Sequence, residues 1–279
     1  MLSFLHCGRF KLPLDRPLIM GVVNVTPDSF SDGGHFSDAR AALDHARQLV
    51  DEGADILDIG GESTRPGSGG VALDEERRRV LPLLEKLAGG AVPVSIDTQK
   101  PALMREAIAA GVSMINDINA LQAPGALDAV ARTDATVCLM HMRGTPQTMQ
   151  DEPRYDDVVG EIFEFLRARV LAAEAAGIAK ERIVIDPGFG FGKTLEHNLE
   201  LLRELGRFNA VGAVVLAGLS RKGMLGRITG RDVSERIHAS IAAALLAVEK
   251  GARIVRVHDV AATRDALAVW QAVNSGKLI

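Results

Sequence analysis

The sequence predicts an α/β protein in which eight parallel strands close into a barrel with helices around it. Short apolar runs alternate with longer amphipathic segments along most of the 279 residues. Parallel strands need helical crossovers between them, and eight such units in about 250 residues match a closed (β/α)8 barrel. Because no linker rich in Pro or Ser divides the chain, we expect one domain over residues 1–279.

The eight predicted strands are short apolar runs, and the segments between them have the spacing of helices. In chain order the strands are Leu18–Asn24, Ile56–Ile59, Val92–Asp97, Met114–Asp117, Thr136–His141, Ile183–Asp186, Ala213–Ala217 and Ile254–Val257. Predicted helices include Ala39–Gly53, Asp74–Leu87, Pro101–Ala110, Tyr155–Ala176, Leu195–Leu205 and Ser234–Lys250. Left-handed caps are expected at the glycines that end several of them, namely Gly53, Gly111, Gly177 and Gly251.

A doubly wound open sheet is the alternative arrangement of parallel strands and helices. It would normally carry a Gly-rich phosphate-binding turn directly after the first strand. Here the first predicted strand leads instead into Pro27-Asp28-Ser29. The closed barrel is therefore preferred.

Composition argues against several classes of protein. Hydrophobic residues make up 47% and charged residues 24%, which indicates a globular core rather than disorder. The net charge of −4 gives no bulk attraction to nucleic acid or to membranes, so neither is an expected partner. Cys7 and Cys138 match no metal-ligand spacing, and Cys138 lies in an apolar run that predicts a packed thiol. Without a signal-peptide pattern or an apolar stretch near the ~18 residues of a membrane span, we expect a cytoplasmic protein.

Polar residues recur at the carboxyl ends of the predicted strands. They are Asn24, Asp58, Asp97, Asn116, His141, Asp186, Ser220 with Lys222, and Arg256 with His258. Any one of them is explained equally well as a cap of the following helix. Such residues on every strand favour a common site, because the carboxyl ends of barrel strands converge on one mouth where such enzymes place their chemistry.

Generic motifs do not account for this site. Gly192-Lys193-Thr194 is similar to the end of a phosphate loop, but the first glycine of that motif would fall on Pro187. Gly218-Leu219-Ser220 begins like a nucleophile elbow, yet Lys222 stands where the final glycine belongs. There is no HExxH and no zinc spacing among the seven His residues. We interpret His141 as a core histidine rather than a site residue.

Longer strings carry a resemblance to a known family. They are Met20–Gly34, Asp58–Gly67, Ser95–Thr98, Ile115–Ile118, Leu139–Met142, Asp186–Lys193, Ser220–Lys222 and Arg256–Val260. In this order they resemble the signature strings of dihydropteroate synthases, a pterin-binding TIM-barrel family. The resemblance implies a Mg²⁺-dependent transferase of folate biosynthesis that acts as a homodimer and is a sulfonamide target. Its reaction would join 6-hydroxymethyl-7,8-dihydropterin pyrophosphate to 4-aminobenzoate, giving 7,8-dihydropteroate and pyrophosphate.

The same resemblance assigns roles to individual residues. The pterin-binding residues it implies are Thr64, Asp97, Asn116, Asp186, Lys222 and Arg256. Pyrophosphate would be held by Asn24, Thr64, Arg256 and His258, with Asn24 also binding Mg²⁺. The 4-aminobenzoate site would comprise Arg65, Pro66, Phe191, Ser220 and Lys222. Lys222, Arg256 and Asp32 would take part in the chemistry.

Elementary chemistry is consistent with these roles. A pterin edge presents a row of N–H donors, and a carboxylate accepts two of them side by side. A planar guanidinium both stacks on a ring and reaches toward phosphate, which a lysine cannot do. A lone Asn24 makes a poor metal site, so Mg²⁺ is expected to bind only together with the phosphates of the substrate. The resemblance further implies that the Gly- and Ser-rich loops Thr26–Gly34 and Ser63–Gly70 close over the pyrophosphate.

Three other functions share parts of this pattern. A pterin-dependent methyltransferase barrel would have a similar pocket without groups for pyrophosphate. A class I aldolase could use Lys222 as a Schiff-base amine. A non-catalytic pterin-binding paralogue is disfavoured, because the chain retains Asn24, Asp32, Thr64, Arg65 and Lys222.

Overall fold

Eight parallel strands form a closed barrel in the computed structural model, which describes residues 2–25, 34–64 and 67–275. A short antiparallel hairpin precedes them, with β1 at Phe4–Cys7 and β2 at Phe10–Pro13. The barrel strands are β3 (Leu18–Asn24), β4 (Ile56–Gly60), β5 (Val94–Asp97), β6 (Met114–Asp117), β7 (Thr136–Met140), β8 (Ile183–Asp186), β9 (Val214–Ala217) and β10 (Ile254–Val257). Each pairs with the next in sequence, and β10 pairs with β3 to close the barrel. The predicted (β/α)8 barrel is confirmed, and the boundaries 1–279 of a single domain stay a prediction.

Helices follow the strands and cover the outside of the barrel. They are α1 (Gly34–Asp51), α2 (Leu73–Leu87), α3 (Pro101–Ala109), α4 (Ala126–Val130), α5 (Val158–Ala175), α6 (Leu195–Arg203), α7 (Gly223–Thr229), α8 (Ile237–Glu249) and α9 (Val260–Ser275). The glycines predicted to cap helices all have φ between 94° and 98°, as the left-handed conformation requires. No helix in the described ranges is long and apolar enough to cross a membrane.

The predicted strands agree with the observed ones to within two residues at either end. The largest difference is in β5, which begins at Val94 rather than Val92. Pro93 lies between these residues and has no N–H to donate to a neighbouring strand, although its carbonyl accepts from Leu57 N. The hairpin of β1 and β2 was not predicted. The predicted helices also lacked α4 and α7, which are too short to show a helical period, and α9.

Alternate residues of the barrel strands pack into two separate cores. On β3, Leu18 and Met20 point into the barrel, whereas Ile19 and Val23 face the helices. This alternation is the period of two that a strand imposes on its side chains. The layer between strands and helices is the larger of the two cores and contains Phe189 and Phe208, both fully buried.

The hairpin closes the lower, amino-terminal end of the barrel. Leu5 and Cys7 of β1 are fully buried and pack with Leu18 and Met20 in the inner core. Thr136 Oγ1 donates to the His6 carbonyl at 2.5 Å. The inner core also contains Cys138, which is fully buried as predicted, and burial raises the pKa of its thiol. The bottom of the barrel is therefore an apolar plug.

Candidate active site

The polar residues that the sequence placed at one mouth do lie together at the carboxyl ends of the strands. Strand register aligns Asn24 with Gly60, Gly60 with Asp97, and Asp97 with Asn116, so these residues form one row across four strands. Asp186 is the last residue of β8. Arg256 of β10 reaches across the mouth to Asp97. Because the same parallel geometry orients every strand, the barrel gathers these side chains from distant parts of the sequence.

Arg256 is held at the centre of this mouth by two carboxylates. Its Nε donates to Asp58 Oδ2 at 2.6 Å, and its Nη2 donates to Asp97 Oδ2 at 3.1 Å. Asn116 Nδ2 donates to the same Asp58 oxygen at 3.1 Å. Burial alone would lower the pKa of Arg256, but the Asp58 and Asp97 carboxylates outweigh burial and raise it. Arg256 is thus a permanent cation with a fixed orientation.

Besides the fully buried Asp58, the mouth contains the buried Asp186 and Asp97, whose side chain is 12% exposed. Burial raises the pKa of Asp97 to about 7; the Arg256 charge opposes this shift, and nearby carboxylates, Asp58 first among them, add to it. Burial also raises the pKa of Asp186, against the Gly188 N–H that donates to its Oδ1 at 2.7 Å and the charge of Lys222. Both acids therefore hold a proton more readily than a solvated carboxyl does. Hydrogen-bond donors of a ligand would stabilise their ionised forms.

Lys222 follows β9 and stands over the ring of Phe191. Its Nζ lies 4.1 Å from the centre of that ring, a distance at which a cation is attracted to an aromatic face. Burial lowers the pKa of Lys222 to about 8; the Arg256 charge adds to the shift, and Asp186 and Asp97 oppose it. Gly190 leaves room for the lysine stem, since a Cβ there would lie 3.3 Å from Lys222 Cδ.

His258 and Ser220 form a smaller polar pair beside Arg256. The His258 N–H donates to Ser220 Oγ at 3.2 Å, and His258 Nδ1 lies 3.0 Å from the same oxygen. Burial lowers the pKa of His258 to about 4, helped by the charges of Arg256 and Arg221. In the free protein His258 is therefore a neutral hydrogen-bonding group and not a second cation.

Two further predicted site residues fall at the rim of the mouth. Asn24 and Thr64 are partly exposed where β3 and β4 lead into their loops. Asp32, Arg65 and Pro66 lie outside the described residues. No group of three or more His, Cys, Asp or Glu able to hold a metal ion occurs in ranges 2–25, 34–64 and 67–275.

Comparisons with known proteins decide the family. The profile of the family described as "Pterin binding enzyme" matches residues 20–258. Dihydropteroate synthase from Neisseria meningitidis serogroup C is 55% identical over 274 residues, covering 96% of this chain and 97% of that protein. This chain belongs to the dihydropteroate synthase family. The function expected from the sequence, synthesis of dihydropteroate by a transferase, is confirmed at the level of this family.

Solved structures of dihydropteroate synthases have the same architecture. The Xanthomonas albilineans enzyme with 4-aminobenzoic acid has a TM-score of 0.93 and 56% identity, and covers 99% of both chains. The same enzyme in complex with 7,8-dihydropteroate has a TM-score of 0.89 and 54% identity, covering 98% of this chain and 99% of that one. Identities this high extend the similarity beyond the fold to the sequence as a whole.

Asp58 is the main residue of the mouth that the predicted site omitted. Its side chain is fully buried, and its Oδ1 has no hydrogen-bond partner among the described residues. Asp58 was one of the polar residues noted at the strand ends, and it lies two positions after Ile56, which points into the barrel. Because side chains two residues apart on a strand face the same side, the position of Asp58 relative to Ile56 indicated that it points into the barrel. Its role could not be inferred without Arg256, which is 198 residues away in sequence.

Lys193, from the rejected phosphate-loop motif, is buried and links its own loop, through Phe191, to His141 directly after β7. Only 3% of the residue is exposed; its Nζ donates to the Phe191 carbonyl at 2.8 Å and lies 3.1 Å from His141 Nδ1. Burial lowers the pKa of His141 to about 2, and its ring packs edge-on against Phe165 at 4.9 Å. The interpretation of His141 as a core histidine is confirmed, and Lys193 is not accessible to a phosphate.

Proposed function

We propose that this chain joins 6-hydroxymethyl-7,8-dihydropterin pyrophosphate to 4-aminobenzoate, forming 7,8-dihydropteroate and releasing pyrophosphate. The observation that carries the proposal is the position of Arg256, a fixed cation between Asp58 and Asp97, in a mouth that also contains Asn116, Asp186 and Lys222. These groups offer acceptors for a pterin edge and cations for an anionic leaving group within one pocket. Membership of the family supplies the identity of the two substrates.

Pterin recognition rests on short side chains at strand ends. Asp97, Asn116 and Asp186 are fixed by the sheet, so they can accept the donors of a planar ring with little loss of side-chain entropy. Lys222 donates to the oxo group of the ring, and Arg256 stacks on its face while pointing toward the phosphates. Burying an ionised carboxylate costs free energy, and the N–H groups of the ring offset this cost because they donate hydrogen bonds to it.

The reaction needs stabilisation of separating charge more than it needs a base. The bond between the pterin methylene carbon and the pyrophosphate oxygen breaks, and its electron pair leaves with pyrophosphate. The lone pair of the 4-aminobenzoate nitrogen then forms the new C–N bond, and that nitrogen loses a proton to solvent. Arg256, His258 and Thr64 hold the departing anion. The resemblance assigns Asp32, which lies outside the described residues, to the pterin cation. Charges fixed in advance lower the barrier because they need no reorganisation.

The second substrate is expected to lie beside Lys222. Phe191 offers a ring face, Ser220 a hydroxyl, and Lys222 a cation for the benzoate carboxylate. Arg65 and Pro66, the other residues assigned to this site, lie outside the described residues. Their segment begins at Ser63, three residues after Gly60, which lies in one row with Asn24 and Asp97.

Mg²⁺ is proposed to enter with the pyrophosphate. The described residues offer the Asn24 amide and no cluster of acids, which fits a metal that brings phosphate oxygens as its other ligands. Bound there, Mg²⁺ would neutralise charge on the leaving group. Titration calorimetry should show appreciable Mg²⁺ binding only when pyrophosphate is present. Tight binding by the protein alone would contradict the proposal.

A cytoplasmic homodimer is the proposed state of the protein. Family membership supports it, and so do the apolar side chains exposed on the last two helices, with Leu246 52%, Val269 66% and Val273 79% exposed. Light scattering after size-exclusion chromatography measures the mass directly. A monomer at micromolar concentration would contradict the dimer.

The activity is tested by mass spectrometry of the product. The protein, both substrates and Mg²⁺ are expected to give dihydropteroate, with pyrophosphate released in equal amount. Pterin binding without product would indicate the non-catalytic paralogue, and transfer of a methyl group would indicate the methyltransferase. Trapping of a carbonyl substrate on Lys222 by borohydride would instead indicate an aldolase.

A further inference from the structure

Three charged residues form a buried cluster next to the pterin pocket, and the reaction described above does not use them. Lys100 Nζ contacts both Glu62 Oε2 and Glu76 Oε2. The Glu76 side chain is completely buried, and the side chains of Glu62 and Lys100 are 12% and 23% exposed. Glu62 follows β4, Glu76 lies in α2 and Lys100 follows β5, so the cluster joins three separate parts of the chain.

Glu62 closes the base of the segment 63–70. While its Oε2 contacts Lys100, its Oε1 accepts a hydrogen bond from Val71 N at 3.2 Å. Residues 62 and 71 flank the segment, so one carboxylate holds its two ends together. Within the segment Ser68 Oγ donates to the Ser63 carbonyl at 2.5 Å, which draws it in further. The segment that includes Thr64 therefore leaves the barrel from a fixed base.

Lys100 attaches this base to the strand that ends in Asp97. It lies three residues after Asp97, and its N–H donates to Thr98 Oγ1 at 3.3 Å. Burial alone would lower the pKa of Lys100, but the Glu62 and Glu76 carboxylates outweigh burial and the pKa is raised. A charged lysine thus connects the segment base to the pterin pocket over a short and largely buried path.

We propose that Glu62 and Lys100 are positioning residues that set the segment 63–70 against the pterin pocket and so determine how well 4-aminobenzoate is held. The inference rests on the proposed function, in which this segment supplies Arg65 and Pro66 to the second substrate. Neither residue touches a substrate in this role. Glu76 serves as a buried counterion, and its Oε1 has no partner among the described residues, so it depends on Lys100.

The test separates positioning from stability by comparing single and double variants. In Lys100→Met both effects should appear: a lower Tm, because Glu76 is left as a buried unpaired charge, and a raised KM for 4-aminobenzoate. In Lys100→Met/Glu76→Gln the Tm should recover while that KM stays raised by about ten- to a hundredfold, the cost of a misplaced binding group. Glu62→Gln should raise the same KM with little loss of Tm, since Lys100 keeps Glu76.

The control is the ion pair of Arg77 with Glu106, which joins α2 to α3 on the outside of the barrel at 2.5 Å. Glu106→Gln should leave both KM values unchanged. Recovery of the 4-aminobenzoate KM in the double variant, or an equal rise of both KM values, would overturn the positioning role alone. Absence of dihydropteroate formation by the unaltered chain would overturn the proposed function and this role with it.

Discussion

The two ends of the barrel are built from the same eight strands but contain opposite chemistry. On β4, Ile56 belongs to the apolar plug at the bottom and Asp58 lies two residues above it. Gly60 ends the strand at the mouth. The bottom is sealed by Leu5 and Cys7 of the hairpin. The top holds buried charges whose hydrogen bonds are only partly complete.

This contrast indicates how stability and function are divided along the strands. Apolar burial at the bottom stabilises the fold in proportion to the area removed from water. Buried charges at the top are costly unless they are fully paired, and a ligand can complete the pairing. Variants at the bottom should therefore change stability without changing substrate affinity, and variants at the top should change both or affinity alone.

Replacement of Arg256 should produce the largest effect. Arg256→Met removes the cation that faces the leaving group, so product formation should fall by about 10²–10³-fold or more. It also leaves Asp58 buried without its cation, which should cost about 3–5 kcal/mol of unfolding free energy. Enzyme assays and urea unfolding measure the two losses. In Arg256→Met/Asp58→Asn only the stability should recover; recovered activity would contradict the catalytic role of the arginine.

Replacement of Asp97 should mainly weaken pterin binding. Asp97→Ala removes a charged acceptor from a buried site, so the affinity for pterin pyrophosphate should fall by about 2–4 kcal/mol. Asp97→Asn should be nearly as damaging, because its amide can present a donor to a donor. Calorimetry measures the affinity of both variants. The control is Asp15→Ala, a substitution of an exposed residue at the bottom of the barrel. Unchanged affinity in Asp97→Asn would exclude Asp97 from the pterin site.

Truncation at the bottom should destabilise the protein without changing substrate affinity. Leu5 is fully buried, and Leu5→Ala should cost about 2–5 kcal/mol of unfolding free energy through lost burial and a cavity. Because the plug lies at the opposite end from the mouth, both KM values should stay unchanged. A raised KM would show that the two ends are coupled, and would contradict the separation of stability at the bottom from substrate binding at the top.

The pH dependence should be the mildest effect near neutrality. With pKa values of about 7 for Asp97 and about 8 for Lys222, kcat/KM for pterin pyrophosphate should be bell-shaped. Activity falls on the acid side because protonated Asp97 loses an acceptor, and on the alkaline side because neutral Lys222 loses its charge. Lys222→Arg should remove the alkaline limb from the free-enzyme profile. A flat profile between pH 6 and 9 would contradict both assignments.

The sequence predicted the barrel well because its strands are short apolar runs with polar ends. It missed the β1–β2 hairpin, whose strands mix Lys11 and His6 with apolar residues. Only alternate side chains of β1 are buried, and those of β2 are at most partly buried. The mouth could be predicted as a set of residues, since every strand ends there. Its internal pairing could not, because Asp58 and Arg256 meet only after the barrel closes. The neutral state of His258 likewise depends on burial and on neighbouring arginines, which no local pattern reveals.

The pairing of Asp58 with Arg256 also has a consequence for how the chain reaches its native state. The two residues are separated by 198 positions, and β10 is the last strand to be synthesised. Until β10 docks between β9 and β3, the Asp58 carboxylate lacks its cation. Burying an unpaired charge in the incomplete sheet would be strongly destabilising. We therefore expect a chain that lacks β10 to leave the Asp58 carboxylate hydrated rather than buried. Ring closure and neutralisation of this charge are therefore expected in the same step, when β10 docks.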